Sequence, residues 1–189
     1  MKKKIKKIVI KVGSSLIANY KTGSPKLNWM NSFINDLDYL LKKKIKIIIV
    51  SSGAIAIGRK KIGFLKKKLN LDEQQAAASV GQIYLVNNYK KAFNKKRVEI
   101  SQVLLTLEDT IKKERKINAK KTLNKLLEKK VVPIINENDT VATDEIKVGD
   151  NDRLSARVAE IIKADLLILL SDVSGLYDKD PKKSKKAKL

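Results

Sequence analysis

Apolar runs of strand length alternate with longer stretches whose apolar residues recur at helical spacing, from residue 5 to residue 170. That alternation constrains the fold more than any other feature, because strands joined through helices pair in parallel and must be covered on both faces. Strands are predicted at residues 5–12, 45–50, 98–105, 131–135 and 166–170, with a strand-like segment at 141–146. Helices are predicted at 28–41, 73–93, 116–129 and 153–162, and a further one opens after Gly53. The segment 45–50 is almost wholly apolar and is expected to be buried on both faces. The segment 166–170 has the composition of a central strand, yet only a Lys-rich tail follows the turn after it.

No long linker or internal repeat divides the chain, and 189 residues with 43% apolar content fill one core, so a single α/β domain over 1–189 is expected. No apolar run approaches the roughly 20 residues of a spanning helix, which predicts a cytoplasmic chain with no membrane partner. The sequence has no Cys and no His, which removes disulfides, Cys/His zinc sites, thiol nucleophiles and imidazole triads. Lys, Asp, Asn, Ser and backbone amides remain. Phosphoryl transfer suits that inventory, since it needs positioning and charge stabilisation and no protein nucleophile. The net charge of +22 would fit nucleic acid, but the lysines are dispersed through nearly every segment without aromatic interleaving, as on a solvated surface.

Three motifs carry candidate chemistry, each at the end of a predicted strand. Lys11-Val12-Gly13-Ser14-Ser15 places a glycine where backbone amides can approach a phosphate and a lysine where it can reach the same group, although these residues alone favour an ordinary turn with a solvated lysine. Ser51-Ser52-Gly53-Ala54-Ile55-Ala56-Ile57-Gly58-Arg59-Lys60 has the glycine spacing of a P-loop, but Arg59 and Lys60 stand where Lys and Ser/Thr are required. It is read as a Ser-Gly turn opening a helix, either an anion seat or a plain cap with a glycine for close packing. Asn136-Glu137-Asn138-Asp139-Thr140 and Lys147-Val148-Gly149-Asp150-Asn151-Asp152 form two dense polar clusters, more than turns require. Asp carboxylates with Asn carbonyls suit a ligand ammonium, and Asn amides suit a ligand carboxylate, so a small zwitterion would satisfy both; the spacing does not match a calcium loop.

In this order and at strand ends, these motifs resemble the amino acid kinase family. The stretches Ile10 to Ser15, Val50 to Ala56, Ala78-Ser79-Val80-Gly81-Gln82, Val132 to Asp139 and Glu145 to Asp152 carry the resemblance, and the last two point to its glutamate 5-kinase branch. The resemblance implies a three-layer αβα sandwich with a mainly parallel sheet. It also implies ATP-dependent phosphorylation of the L-glutamate side-chain carboxylate, as the first step of proline biosynthesis. Lys11 and Asp152 would be catalytic, with Asp152 orienting the lysine. Ser52, Gly53, Asp139, Asp150 and Asn151 would hold glutamate, and Lys11, Gly13, Ser14, Ser15, Ser171 and Asp172 would line the ATP site. Mg²⁺ would arrive on the nucleotide, with no metal site in the protein. A homo-oligomer and a glutamyl phosphate reductase would be the protein partners.

The family also has a later glycine-rich loop with a second catalytic lysine, and often a small RNA-binding-like domain. Neither has a counterpart after Tyr177, so the domain is expected to be truncated at its carboxyl end. Two other readings therefore stand beside the enzyme: a catalytically incomplete glutamate-binding or regulatory fragment, and a basic nucleic-acid-binding protein.

Overall fold

A computed structural model describes residues 4–19, 21–64, 68–142 and 150–175, together with 177–179, 181, 184 and 186–189. Its centre is strand β2 (Lys46–Ser51), in which every residue after Lys46 is buried. A strand covered on both faces takes apolar side chains, which Ile47, Ile48, Ile49 and Val50 supply, and a polar one only where it is hydrogen-bonded, as Ser51 is at the strand's end. β1 (Lys7–Val12) pairs with one edge of β2 and β4 (Val132–Glu137) with the other, β3 (Ile100–Leu105) pairs with β4, and β5 (Leu166–Leu170) pairs with β1. All four pairings are parallel, in the order β3-β4-β2-β1-β5.

Helices α1 (Ser14–Ile17), α2 (Leu27–Lys42), α3 (Ala54–Lys61) and α4 (Leu71–Asn94) lie on one side of the sheet. There Met30, Phe33, Ile34, Leu85, Tyr89 and Phe93 pack on Ile8, Ile10, Ile47, Ile49 and Ile134. Helices α6 (Lys113–Glu128) and α7 (Asp150–Ile162) cover the other side, with Leu123, Leu127, Leu154, Val158 and Ile161 against Val9, Ile48, Val50 and Ile135. A short helix, α5 (Leu107–Ile111), follows β3. The architecture is the expected three-layer sandwich with a parallel sheet.

Local signals set the boundaries. α4 begins at a capping box in which the Asn70 side chain accepts from the Glu73 amide and the Glu73 carboxylate accepts from the Asn70 amide; Thr106 and Asp109 do the same for α5. The helices α2, α4, α6 and α7 reach the next strand through Lys44, Arg97, Lys130 and Lys163, all in the left-handed region with φ between 52° and 62°. Glycine is the usual residue at such a turn, so these four long side chains cost backbone strain.

β5 is the last strand of the sheet as described, paired with β1 alone among the described residues, and Leu166 and Leu169 stand 38% and 53% exposed beside it. Of the strand-like segment 141–146, Val141 stands exposed in a turn, and 143–146 lie outside the described residues, as do Lys147, Val148 and Gly149.

Candidate active site

In a parallel sheet the loops after the strands meet at one end, and the chain leaves β1 toward β2 on one side and reaches β5 on the other. The turns after β1, β2, β4 and β5 therefore share one crevice, and the described residues of the motifs singled out above lie at the ends of these strands, in the turns after them, in α3 or on the first turn of α7.

The cationic side of the crevice is built on β1. Lys11 is largely buried at the strand's end, and its Nζ lies 2.7 Å from Asp152 Oδ1 on α7. Gly13 follows, its amide donating to the Leu170 carbonyl of β5 at 3.2 Å. A Cβ on Gly13 would sit 3.7 Å from Lys11 Nζ and 3.9 Å from Ser15 Oγ, so ammonium, hydroxyl and bare backbone converge there. Ser14 is exposed beside them, and Ser171 and Asp172 continue from Leu170 at the same edge, also exposed.

The polar side begins at the turn after β2. Gly53 adopts φ 110°, a left-handed conformation that an L side chain rarely adopts, and it lies against Ile17, whose Cγ2 is 3.0 Å from where a Cβ would stand. That turn opens α3, whose first amides have no intrahelical acceptor. Ser51 anchors the turn from beneath: its Oγ donates to the Ser52 carbonyl at 3.1 Å and lies 3.1 Å from the Tyr89 hydroxyl. Burial pushes the Tyr89 hydroxyl far above the ordinary tyrosine range, against the opposing effect of its bond to Ser51.

A chain of three side-chain amides links the turns. Asn151 Nδ2, on α7, donates toward the Ser51 carbonyl at 3.3 Å, Ser52 Oγ at 2.8 Å and Asn136 Oδ1 at 3.1 Å. Asn136 Nδ2 in turn donates to Gln82 Oε1 of α4 at 2.8 Å. The polarity follows from one atom. A backbone carbonyl only accepts, so Asn151 must present its NH₂ there, Asn136 must answer with its oxygen, and Gln82 must answer the Asn136 NH₂ with its own oxygen. The free ends of the chain are then fixed as an acceptor, Asn151 Oδ1, and a donor, Gln82 Nε2, both buried and without a partner among the described residues.

Gln82 also lines a cavity of about 250 Å³ under α4, over the carboxyl ends of β3 and β4, with Asp139 on its rim. The structure thus brings Lys11 to Asp152 and Ser52 to Asn151, places Gly13 and Ser15 against the lysine, and sets Asp139 at the adjoining cavity. Asp150 is the first residue of α7. Sequence reasoning assigned no role to Asn136, Gln82, Ser51 or Tyr89. Their signal was polarity on buried faces: Gln82 shares a helical stripe with Ala78, Leu85 and Tyr89, and Asn136 ends an apolar strand.

Residues 6–189 match the amino acid kinase family. The glutamate 5-kinase of Pelagibacter ubique is 54% identical over 182 residues, covering 96% of this chain and 49% of that protein. The glutamate 5-kinase of Bradyrhizobium diazoefficiens is 46% identical, covering 97% and 49%, and glutamate 5-kinase 1 of Mesorhizobium japonicum is 48% identical, covering 98% and 49%. The chain spans about half the length of the curated relatives it matches. Among solved structures, an isopentenyl phosphate kinase superposes with a TM-score of 0.67 at 16% identity, covering 97% of this chain and 78% of that one. The T. acidophilum isopentenyl phosphate kinase product complex superposes with a TM-score of 0.62 at 18% identity, covering 95% and 76%.

Proposed function

The chain belongs to the amino acid kinase family, and on that premise we propose that its crevice binds L-glutamate and ATP and directs the γ-phosphoryl group to the glutamate side-chain carboxylate. The observation that carries this reading is the Lys11–Asp152 pair at 2.7 Å beside Gly13, one turn from the Ser52–Asn151 contact at 2.8 Å. A cation is held where a phosphate can reach bare backbone, next to amide and hydroxyl groups suited to an amino acid.

In this reading the carboxylate attacks in line and no general base is required. Lys11 balances charge on the migrating group, and Asp152 fixes the ammonium's position. Asn151 and Ser52 fix the substrate, Asp139 meets its ammonium, and Gly13, Ser14, Ser15, Ser171 and Asp172 face the nucleotide. ATP enters as its Mg²⁺ complex, so the metal belongs to the substrate. The product is L-glutamyl 5-phosphate, the start of proline synthesis, and a reductase would consume it.

The test is ATP-dependent hydroxamate formation by this chain joined to the carboxyl-terminal half of the Pelagibacter ubique relative. Turnover on glutamate, in the range of about 1 to 100 per second common to kinases, supports the reading; a folded protein that hydrolyses ATP without regard to glutamate refutes it. The 189 residues alone are expected to bind glutamate without appreciable turnover, because one lysine balances the migrating charge from one side only.

A further inference from the structure

Because the sheet is parallel, every helix-to-strand turn returns to the end opposite the crevice. Those turns are residues 42–46, 95–99, 129–131 and 163–165, and residues 4–7, which lead into β1, join them. Together these twenty residues carry thirteen basic and two acidic side chains, half of the chain's net charge of +22. The residues that directly follow the strands at the crevice end, 13–15, 52–53, 106, 138–142 and 171–175, include no Lys or Arg. Lysines dispersed along the sequence are thus gathered by the topology onto one face. Two observations set that face apart from an ordinary solvated surface. Lys44, Arg97, Lys130 and Lys163 hold left-handed positions that strain a long side chain, and all four stand beyond the last helical residue, past the turn in which the helix dipole favours a cation. The charges are also uncompensated: Lys44, Lys46, Arg97, Lys129, Lys130 and Lys163 are exposed, and none is joined to a carboxylate among the described residues. Burial, then the neighbouring Lys46 and Lys120, holds the Lys7 ammonium below the ordinary lysine range against the pull of Asp165. Self-repulsion of this kind works against the compact state, so the fold itself does not call for it.

We propose that the face at the amino ends of the strands, opposite the crevice, docks the phosphate backbone of a nucleic acid. Neighbouring strands lie about 4.8 Å apart, so five strand ends set the basic turns in a row roughly 20 Å long. That row spans about six phosphates of one strand at about 3.4 Å each. No aromatic residue lies in these turns to stack on a base, so the contact is with the backbone and carries no sequence preference. A membrane surface fits less well, because it asks for apolar anchors and Ile5 is the only exposed large apolar residue in these turns among the described residues. The inference is independent of the glutamate reading, since the crevice lies at the other end of the sheet.

Fluorescence anisotropy of a labelled RNA of about 20 nucleotides and mixed sequence, titrated with the 189-residue chain at several KCl concentrations, tests the proposal. Neutralising four or more phosphates gives a slope of log affinity on log salt of about −2.8 or steeper, at about −0.7 per phosphate. Changing Lys44, Arg97, Lys130 and Lys163 together to Asn removes four charges from the face, and asparagine tolerates the left-handed positions. That variant should melt no lower than wild type, bind the RNA at least tenfold more weakly at about 100 mM KCl, and show a slope shallower by about 2 or more. Changing Lys21, Lys26, Lys68 and Lys113 together to Gln removes the same charge outside the face and should alter affinity less than threefold. Should the Asn variant fail to fold by circular dichroism, Lys44→Asn with Lys130→Asn alone should still weaken binding at least threefold. Equal weakening in the two four-site variants overturns the proposal, because the charge then acts as a diffuse field. A wild-type slope near zero overturns it too, as does capture by phosphatidylserine vesicles that the RNA does not compete away.

Discussion

Replacing Gly81 by alanine tests how the crevice is held in place. Where α3 crosses α4, a Cβ on Gly81 would lie 1.8 Å from the Ala54 carbonyl oxygen, and one on Gly58 would lie 1.8 Å from the Ala77 carbonyl oxygen. Carbon and oxygen meet at about 3.3 Å at closest, so the added methyl must drive the two backbones apart by roughly 1.5 Å. Neither obstacle is a side chain that could rotate away. Overpacking of this kind costs about 3 kcal/mol or somewhat more, which in a chain of this size lowers the melting temperature by about 6 to 12 °C. The functional loss should exceed the loss of stability, because Ala54 opens α3 and is joined directly to the Gly53 turn that presents Ser52 to Asn151. Gly63→Ala is the matched control: that residue has φ 79° but nothing within 4 Å of its Cβ position, so only backbone strain of about 1 kcal/mol applies. Circular dichroism melts of both variants, with glutamate titration at 15 °C, give the comparison. A Gly81→Ala melting temperature within 2 °C of wild type refutes the reasoning.

In the joined protein, Lys11→Met is expected to lower kcat by about 10³ or more, the scale of losing a charge-stabilising cation, in a variant that circular dichroism shows to be folded; kcat within tenfold of wild type contradicts the role given to Lys11. Asp139→Asn keeps the shape and removes a negative charge, so the glutamate KM should rise roughly ten- to hundredfold with the ATP KM little changed, whereas an equal rise for both substrates points to a folding defect. Tyr89→Phe is expected to cost about 1 kcal/mol at neutral pH through the lost bond to Ser51. The Tyr89 hydroxyl stays protonated far above its unfolded value, so the stability it confers is present below about pH 10 and is lost as pH rises from there toward the folded value. Melts at pH 7 and pH 11 should therefore show the gap between wild type and Tyr89→Phe closing at the higher pH; an unchanged gap contradicts the burial of that hydroxyl.

The sheet was legible because its strands are nearly pure in composition: Ile47 to Val50 have no polar residue that could face water, and the pairing partners of β2 follow from that burial. The position of β5 was not legible. Its five residues are as apolar as those of β2, and strand order depends on which connections cross the sheet, which the periodicity of one strand does not encode. The helix predicted at 153–162 starts at Asp150, because the three polar residues 150–152 form the first turn of α7; their polarity suits the crevice, so local pattern and local structure disagree there. The helix 14–17 is too short to show a period. Gln82 and Asn136 were hidden differently. Each sits in an element read correctly, and only the distance between α4 and β4, 54 residues apart in sequence, turns two isolated buried amides into one chain with Asn151.

The central claim is that this crevice takes a side-chain carboxylate at Lys11, and calorimetric titration of the 189-residue chain with L-glutamate and with L-glutamine tests it most directly, since the two differ only at that group. The account expects glutamate to bind at least tenfold more tightly than glutamine, and expects Lys11→Met to erase most of the difference by weakening glutamate alone. Equal binding of the two amino acids, or a preference that survives the loss of Lys11, would contradict it.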